Sequence, residues 1–255
     1  MAKLAWGIIS FAVICIFCSN YVEAKDYYPL RKGMKWKYGT ERIFSYQGDG
    51  NTKTYTYEVK CLGKTRIDKI KDVFIFLYES GYKNYLIKDK EGIAYYAYQR
   101  AGDLEHTYYE PSSQILRYPL DVGHQWGFHR KIWYMKEGPL VPFNYAIDSF
   151  DKSVVVPAGK YDNCLYIRKR GVKRYETNDS IGIFKYTWEL TAEGHNWYAP
   201  NVGWIKGIEE ISINMLDAYH MKKKLRVPLD ELKEPDTYKN RKIKSVTVLM
   251  SQTSD

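Results

Sequence analysis

The chain has 255 residues, a formal net charge of +9 and 45% hydrophobic residues, of which many are aromatic. No long segment spaces its apolar residues with the 3.6-residue period of a helix, which disfavours a mainly helical protein. Aromatic and β-branched residues suit a pleated, half-buried surface, so the composition predicts a mainly β protein with a sizeable core. The positive charge fits either contacts with anionic lipid, acidic polysaccharide or nucleic acid, or simply a lysine-rich surface.

Residues 1–24 have the three parts of a cleavable secretory signal peptide. Lys3 makes the start positive, an apolar run covers 4–18, and 22–24 carry the Val-Glu-Ala that signal peptidase can recognise. We predict cleavage after residue 24 and a periplasmic or secreted protein. The alternatives are a retained membrane anchor, although spanning a bilayer takes about 20 apolar residues, and lipidation of Cys18, which the bulky preceding residue disfavours.

An internal duplication organises the rest of the chain. One set of residues returns with identical spacing: Tyr28-Pro29-Leu30, Gly33 and Trp36 match Tyr118-Pro119-Leu120, Gly123 and Trp126. A second echo matches Glu91-Gly92 and Tyr95-Tyr96-Ala97 with Glu193-Gly194 and Trp197-Tyr198-Ala199. The repeat predicts two related β units over 27–115 and 117–215, followed by a basic C-terminal segment over 220–255.

Runs rich in aromatic and β-branched residues predict the strands. The first unit has such runs at 36–46, 53–62, 73–79, 82–88 and 93–98, and the second at 126–134, 143–150, 153–156, 163–170, 184–190, 195–199 and 204–214. Short strands at this spacing predict antiparallel meanders that form a curved or barrel-like sheet, or a sandwich. A last run at 243–250 alternates as a strand does, but it lies in a tail that is often only partly ordered.

Two cysteines follow the signal peptide, Cys61 in the first unit and Cys164 in the second. In an oxidising compartment they are candidates for a disulfide, which would close a loop of about 100 residues. The alternative is two separate buried thiols that behave as small hydrophobic side chains. The sequence leaves both possibilities open.

Two turn segments are the most distinctive patterns in the chain. Residues 156–165 read V-P-A-G-K-Y-D-N-C-L and residues 197–206 read W-Y-A-P-N-V-G-W-I-K. Each has a proline and a glycine placed for a tight turn between strands. Together with the Tyr-Pro-Leu-x-x-Gly-x-x-Trp pattern at 28–36, they resemble exported bacterial envelope proteins of uncharacterised function. The resemblance implies an antiparallel, curved or barrel-like sheet, and it transfers no catalytic residue.

The catalytic and metal-binding patterns in the sequence identify no convincing site. Ser149-x-x-Lys152 lacks the helical start and the partner motifs of the penicillin-binding pattern, so we interpret it as a chance match. His124 and His129 are five residues apart, which places them on opposite faces of a strand and argues against a shared metal. His106 and His195 lie near Glu105 and Glu193, and they would form acid–base pairs only if the fold brought them together. We therefore predict no catalytic residue, metal or cofactor.

Aromatic and basic side chains are the candidate binding residues. Concave sheets lined by tyrosine and tryptophan bind lipids, glycans or peptides, because these rings offer large rigid faces with a polar group. The aromatic candidates are Tyr95, Tyr96, Trp188, Trp197, Tyr198 and Trp204, although an aromatic core is the simpler explanation for them. The basic candidates are Lys222, Lys223, Lys224 and Arg226.

Three hypotheses for the function follow. The first is a non-enzymatic exported envelope protein that binds a hydrophobic ligand or an envelope partner. The second is a protein that adheres to anionic lipid or polysaccharide through its basic segment. The third is a hydrolase whose catalytic residues are dispersed in the sequence. The sequence does not identify the partner, and we expect no nucleic acid among the candidates.

Overall fold

The computed structural model describes residues 26–46, 49–68, 70–132, 139–178, 182–229, 232 and 240–254. The predicted signal peptide lies outside these described residues. Within them, all regular secondary structure is β-strand. The strands are β1 Lys35–Tyr46, β2 Asp49–Ile67, β3 Ile70–Tyr78, β4 Lys83–Lys88, β5 Gly92–Gln99, β6 Thr107–Arg117, β7 Gln125–Lys131, β8 Leu140–Val156, β9 Gly159–Asn178, β10 Phe184–Ala199, β11 Gly203–His220, β12 Leu225–Arg226 and β13 Asn240–Thr253.

One open antiparallel sheet contains all of these strands. Its order is β6-β5-β4-β3-β2-β1-β13-β11-β10-β9-β8-β7, and the short β12 pairs with β11. Two meanders, β1 to β6 and β7 to β11, therefore lie side by side, and β13 joins them by pairing with β1 and β11. Leu116 of the edge strand β6 and Trp126 of the opposite edge strand β7 belong to the same hydrophobic core. The sheet is thus strongly curved, which confirms the predicted mainly β, antiparallel class.

Each run that the sequence predicts as a strand overlaps an observed strand. Two pairs of neighbouring runs merge, 143–150 with 153–156 in β8 and 184–190 with 195–199 in β10. The sequence did not predict β6, and it did not predict that the final run at 243–250 lies inside the sheet. That run lies in β13, in the middle of the sheet.

The first repeat marks the same backbone turn in both meanders. Gly33 has a φ of 90° and Gly123 a φ of 86°, values that only glycine adopts without strain. Each glycine N–H donates to a carbonyl of the neighbouring strand, Gly33 to Cys61 at 2.9 Å and Gly123 to Ile147 at 2.8 Å. The second repeated pattern does not mark equivalent positions in the two meanders, because Gly92 begins β5 whereas Gly194 lies inside β10.

The N-terminal plug, which we define as residues 26–34, closes one end of the curved sheet. Tyr27 and Tyr28 are buried within it. The plug is bound to both meanders: the Asp26 carboxylate pairs with Lys88 at the end of β4 at 3.0 Å, and the Tyr27 hydroxyl donates to the carbonyl of Asn163 in β9 at 3.1 Å. The plug therefore ties the two meanders together at this end of the sheet.

Cys61 and Cys164 are both buried and both free, so the structure does not contain the disulfide considered from the sequence. Cys61 lies in β2 and Cys164 in β9, and four strands separate β2 from β9 in the sheet. A disulfide needs Cα atoms closer than about 7 Å, which suits neighbouring strands. The residue that corresponds to Cys61 in the second meander is Ile147 in β8, so the duplication does not place the two cysteines at equivalent positions.

Candidate functional site

The concave face of the sheet encloses a cavity of about 520 Å³. Both meanders and β13 contribute to its lining, so the cavity exists only when the two halves are joined. Aromatic residues are the commonest kind in its wall: Tyr28, Trp36, Tyr38, Tyr55, Tyr57, Phe76, Tyr78, Tyr95, Phe128, Tyr145, Tyr198 and Trp204. Its volume lies in the range of about 300–1,000 Å³ that is typical of small-molecule sites.

Hydrogen bonds across the two halves hold the aromatic wall rigid. The Trp36 indole donates to the Val202 carbonyl at 2.7 Å, and the Tyr38 hydroxyl donates to the Trp204 carbonyl at 3.0 Å. The rings of Tyr38 and Trp204 also pack with centroids 5.2 Å apart. Burial raises the pKa of Tyr145 to about 12, so this hydroxyl stays neutral. The wall therefore offers apolar ring faces with a few neutral hydroxyl groups.

A row of polar and charged residues crosses the sheet on the side of the cavity away from the plug. The strand register pairs, in succession, Lys169 of β9, Gly194 of β10, Glu209 of β11, Ser245 of β13 and Arg42 of β1. All of these except Gly194 line the cavity. Along β1, the cavity-lining side chains change from almost fully buried at Trp36, with 3% exposure, to half-buried at Arg42. Along β1 the rings therefore lie nearer the plug than the charge does, and we call the end of the cavity away from the plug its mouth. On β8, Tyr145 lies beside Lys169 in the same row.

Lys169, Arg130 and Glu209 form a buried ion cluster in this row. The Lys169 ammonium lies 2.6 Å from Glu209 Oε1, and Arg130 pairs with the same oxygen. Burial alone would raise the pKa of Glu209, but the two cations lower it to about 2. Burial, with repulsion from Arg130, lowers the pKa of Lys169 to about 8 against the opposing effect of Glu209. One carboxylate is therefore shared by two cations.

Gly194 makes this cluster possible. A Cβ atom on Gly194 would lie 2.1 Å from Lys169 Cε and 2.9 Å from its Cγ. The lysine stem therefore crosses β10 directly over the glycine to reach Glu209 on β11. The absence of a side chain at this position is what allows the ion pair to form across an intervening strand.

The six aromatic candidates from the sequence fall into two groups. Tyr95, Tyr198 and Trp204 line the cavity. Tyr96 packs instead beside a separate small cluster around Val73 and Tyr85. Trp197 stacks on Tyr166, with centroids 5.1 Å apart, and Trp188 donates from its indole to the Thr177 hydroxyl at 2.8 Å. The structure therefore brings three of the candidates together, because alternation along a strand sends neighbouring rings to opposite faces.

The basic candidates directly follow the C-terminal end of β11. Lys222, Lys223 and Lys224 form an exposed turn after this strand, and Arg226 in β12 pairs with Asp217 at 3.2 Å. Met221 and Leu225 flank the turn with 44% and 45% of their surfaces exposed. The turn thus combines positive charge with exposed apolar side chains, and none of its residues lines the cavity.

The histidines that the sequence considered for acid–base chemistry contact tyrosines. The His195 ring lies 2.6 Å from the Tyr166 hydroxyl, while Glu193 pairs with Arg170. His106 contacts the Tyr108 hydroxyl at 2.8 Å. In the part of the chain that the structure describes, no group of three or more histidine, cysteine and acidic residues could hold a metal ion, and no helix is long and apolar enough to cross a membrane.

Sequence reasoning missed the charged residues of the cavity: Arg42, Arg130, Lys169 and Glu209. A signal for them does exist in the alternation. Lys169 lies in phase with the buried Ile167, and Glu209 lies in phase with the buried Ile211 and Ile213. A charged residue at an inward-facing position of a strand needs a partner, so these positions predict that inward charges meet.

Comparisons with known proteins add only distant likenesses. No family model matches the sequence, and no curated protein matches it. Among solved structures, a candidate exported protein with a YmcC-like fold from Bacteroides fragilis is 12% identical, with a TM-score of 0.31 over 90% of this chain and 100% of that one. A candidate lipoprotein from Parabacteroides distasonis is 14% identical, with a TM-score of 0.35 over 90% of this chain and 99% of the other. At these scores neither likeness carries an argument about function.

Proposed function

We propose that this chain is an exported, non-enzymatic envelope protein that binds a hydrophobic ligand on the concave face of its sheet. The observation that carries the proposal is the aromatic cavity of about 520 Å³, which both halves of the sheet line. Pockets of this kind bury most of the surface of a small ligand, and their apolar walls supply the main driving force for binding. The one carboxylate among the described lining residues, Glu209, is paired with Lys169 and Arg130, which suits a binding site better than a site where it would act as a base.

Export is the second part of the proposal, and it rests on the sequence. The positive start, the apolar run and the Val-Glu-Ala at 22–24 favour a signal peptide. The V-P-A-G and W-Y-A-P turn segments support membership of the exported envelope proteins that they resemble. Intact mass measurement of protein purified from cells tests export, since cleavage after residue 24 would leave Lys25 at the N-terminus. A full-length mass would contradict it.

Binding of the neutral fluorescent probe N-phenyl-1-naphthylamine tests the cavity. We expect saturable binding to the wild-type protein, with enhanced fluorescence in the dry aromatic pocket. Ser245 lines the cavity and Ser251, in the same strand, is exposed. Ser245→Trp fills the mouth and should weaken binding by about tenfold or more, whereas Ser251→Trp should leave it unchanged. Non-saturable binding, or equal affinity in both variants, would overturn the proposal.

A second candidate function is adhesion to anionic membranes through the basic turn at 221–226. Its specific support is the exposed pair Met221 and Leu225 beside Lys222, Lys223 and Lys224, because apolar insertion and electrostatic attraction add at a lipid surface. Vesicles of phosphatidylglycerol should bind the protein, and added salt should weaken binding.

Matched lysine variants distinguish this turn from the general positive charge. Replacing Lys222, Lys223 and Lys224 together with glutamine should abolish vesicle binding. The same replacement at three other exposed lysines removes equal charge and should leave most of the binding; these are Lys90, Lys152 and Lys173. Equal losses of vesicle binding in the two triple variants would show that only net charge matters, and would contradict a specific role of the turn.

A further inference from the structure

We infer that the cavity selects an amphiphile that carries one anionic group, with its apolar body against the aromatic wall and its charge at the row near the mouth. This inference rests on the proposed function and deepens it, because it names the chemical class of the ligand. The charged side chains of the lining support it by their sum, their position and their burial.

The sum of charges in the cavity is positive. Among the described residues that line it, the charged side chains are Arg42, Arg130, Lys169 and Glu209. These three cations and one carboxylate give the described part of the lining a net charge of +2. A ligand anion would bring this sum closer to zero, whereas a ligand cation would be repelled. Such attraction is stronger where water is partly excluded than it is at an open surface.

The position of the charges fits an amphiphile better than a wholly polar anion. Ser245 lies next to both Arg42 and Glu209 in the register, and its small side chain leaves space between them. From this row towards the plug, the lining residues of β1 are Thr40, Tyr38 and Trp36, which are all buried. Along β1, a ligand at this row therefore has Arg42 beside it and the rings of Tyr38 and Trp36 beyond it towards the plug.

Arg42 is the cation best placed to meet the ligand. Glu209 already contacts both Lys169 and Arg130, the more buried of the two being Lys169. Arg42 lies two strands away from Glu209 across β13, and it is half-buried beside the exposed Tyr55, to whose hydroxyl it donates. Its guanidinium group can offer further donors to a carboxylate or phosphate without dismantling the ion cluster.

Displacement of N-phenyl-1-naphthylamine by three ligands of equal chain length tests the inference. Laurate, dodecanol and dodecyltrimethylammonium present negative, neutral and positive head groups, at concentrations below micelle formation. For the wild-type protein at neutral pH we expect laurate to bind about tenfold more tightly than dodecanol, and dodecyltrimethylammonium more weakly than both. Equal affinity for laurate and dodecanol, or preference for the cation, would overturn the inference and leave the proposed function standing.

Two variants separate net charge from the ion pair itself. Arg42→Gln lowers the net charge of the lining to +1 and should remove most of the preference for laurate while dodecanol binds as before. The double variant Lys169→Met/Glu209→Gln removes one cation and one carboxylate, keeps the sum at +2, and should retain the preference. A preference that survives Arg42→Gln in full would contradict the role of Arg42. If none of the three ligands displaced the probe, the proposed function would fail together with the inference.

Discussion

Thr40 in β1 and Thr247 in β13 share a hydrogen bond of 2.9 Å between their hydroxyl groups, although 207 residues separate them in the sequence. Both are buried, with 4% and 9% exposure. The bond joins the first meander to the strand that connects it with the second.

A valine substitution at either position should cost stability. Each one leaves the other hydroxyl buried without its partner, which costs about 1–3 kcal/mol. The double variant should lose less stability than the two single losses added together. Urea unfolding of the four proteins measures this cycle, and strictly additive losses would show that the two hydroxyls do not interact.

The sequence predicted the strands well, because alternation and turn residues are local signals. It missed β6, since the polar residues at 110–114 and the proline at 111 interrupt the apolar pattern. It also missed the central place of β13. The pairing of β13 depends on residues of β1, some two hundred positions earlier, as well as on β11, and such long-range pairing leaves no trace in the alternation of a single strand.

The site was predictable only in part for a related reason. Which aromatic rings share the cavity depends on strand phase and on bulges, such as the shift between Trp197 and Tyr198 in β10. Trp197 and Tyr198 were equal candidates in the sequence, yet only Tyr198 lines the cavity. The ion cluster could be predicted only from the order of β9, β10 and β11 in the sheet, because Lys169 reaches Glu209 across an intervening strand.

The two cysteines should be unreactive in the folded protein. Burial raises the pKa of the Cys61 thiol, and burial together with the nearby Asp162 carboxylate raises the pKa of Cys164 to about 11. Since the thiolate is the reactive form, iodoacetamide at neutral pH should label neither residue until urea is added, and then both. Mass spectrometry without reductant gives the number of labelled cysteines. A mass two hydrogens lower, with no labelling after unfolding, would instead indicate a disulfide.

Alanine at Gly194 should disturb the ion cluster. The new Cβ would overlap the Lys169 stem, which the contact with Glu209 holds in place. We expect a loss of about 1–3 kcal/mol in the free energy of unfolding, as in other overpacked sites. Gly50 in β2 provides the control, because nothing lies within 4 Å of its Cβ position. A Gly50→Ala loss as large as that of Gly194→Ala would assign the effect to strand propensity and not to Lys169.

Glutamine at Glu209 should destabilise the fold far more than glutamine at the adjacent Glu210. Glu209→Gln removes the carboxylate that pairs with the buried Lys169, and breaking such a pair costs about 3–5 kcal/mol. Glu210 pairs with Lys244 at the surface, where an ion pair contributes about 0–1 kcal/mol. Urea unfolding at neutral pH compares the two variants. Similar losses would show that the buried cluster is no more important than a surface pair.

The difference between wild type and Glu209→Gln should also depend on pH in a defined direction. The folded-state pKa of Glu209 is about 2 against an ordinary value of 4.5, so the folded protein favours the carboxylate. The stabilisation is therefore complete above pH 4.5 and is lost as pH falls towards 2. At alkaline pH, Lys169 has the opposite effect. Its pKa is about 8 in the folded protein against an ordinary value of 10.5, so the folded protein releases this proton at a lower pH than the unfolded protein does. The cost of burying the lysine therefore falls as pH rises from 8 to 10.5. A wild-type advantage that stayed constant between pH 5 and pH 2 would contradict a carboxylate held charged by two cations.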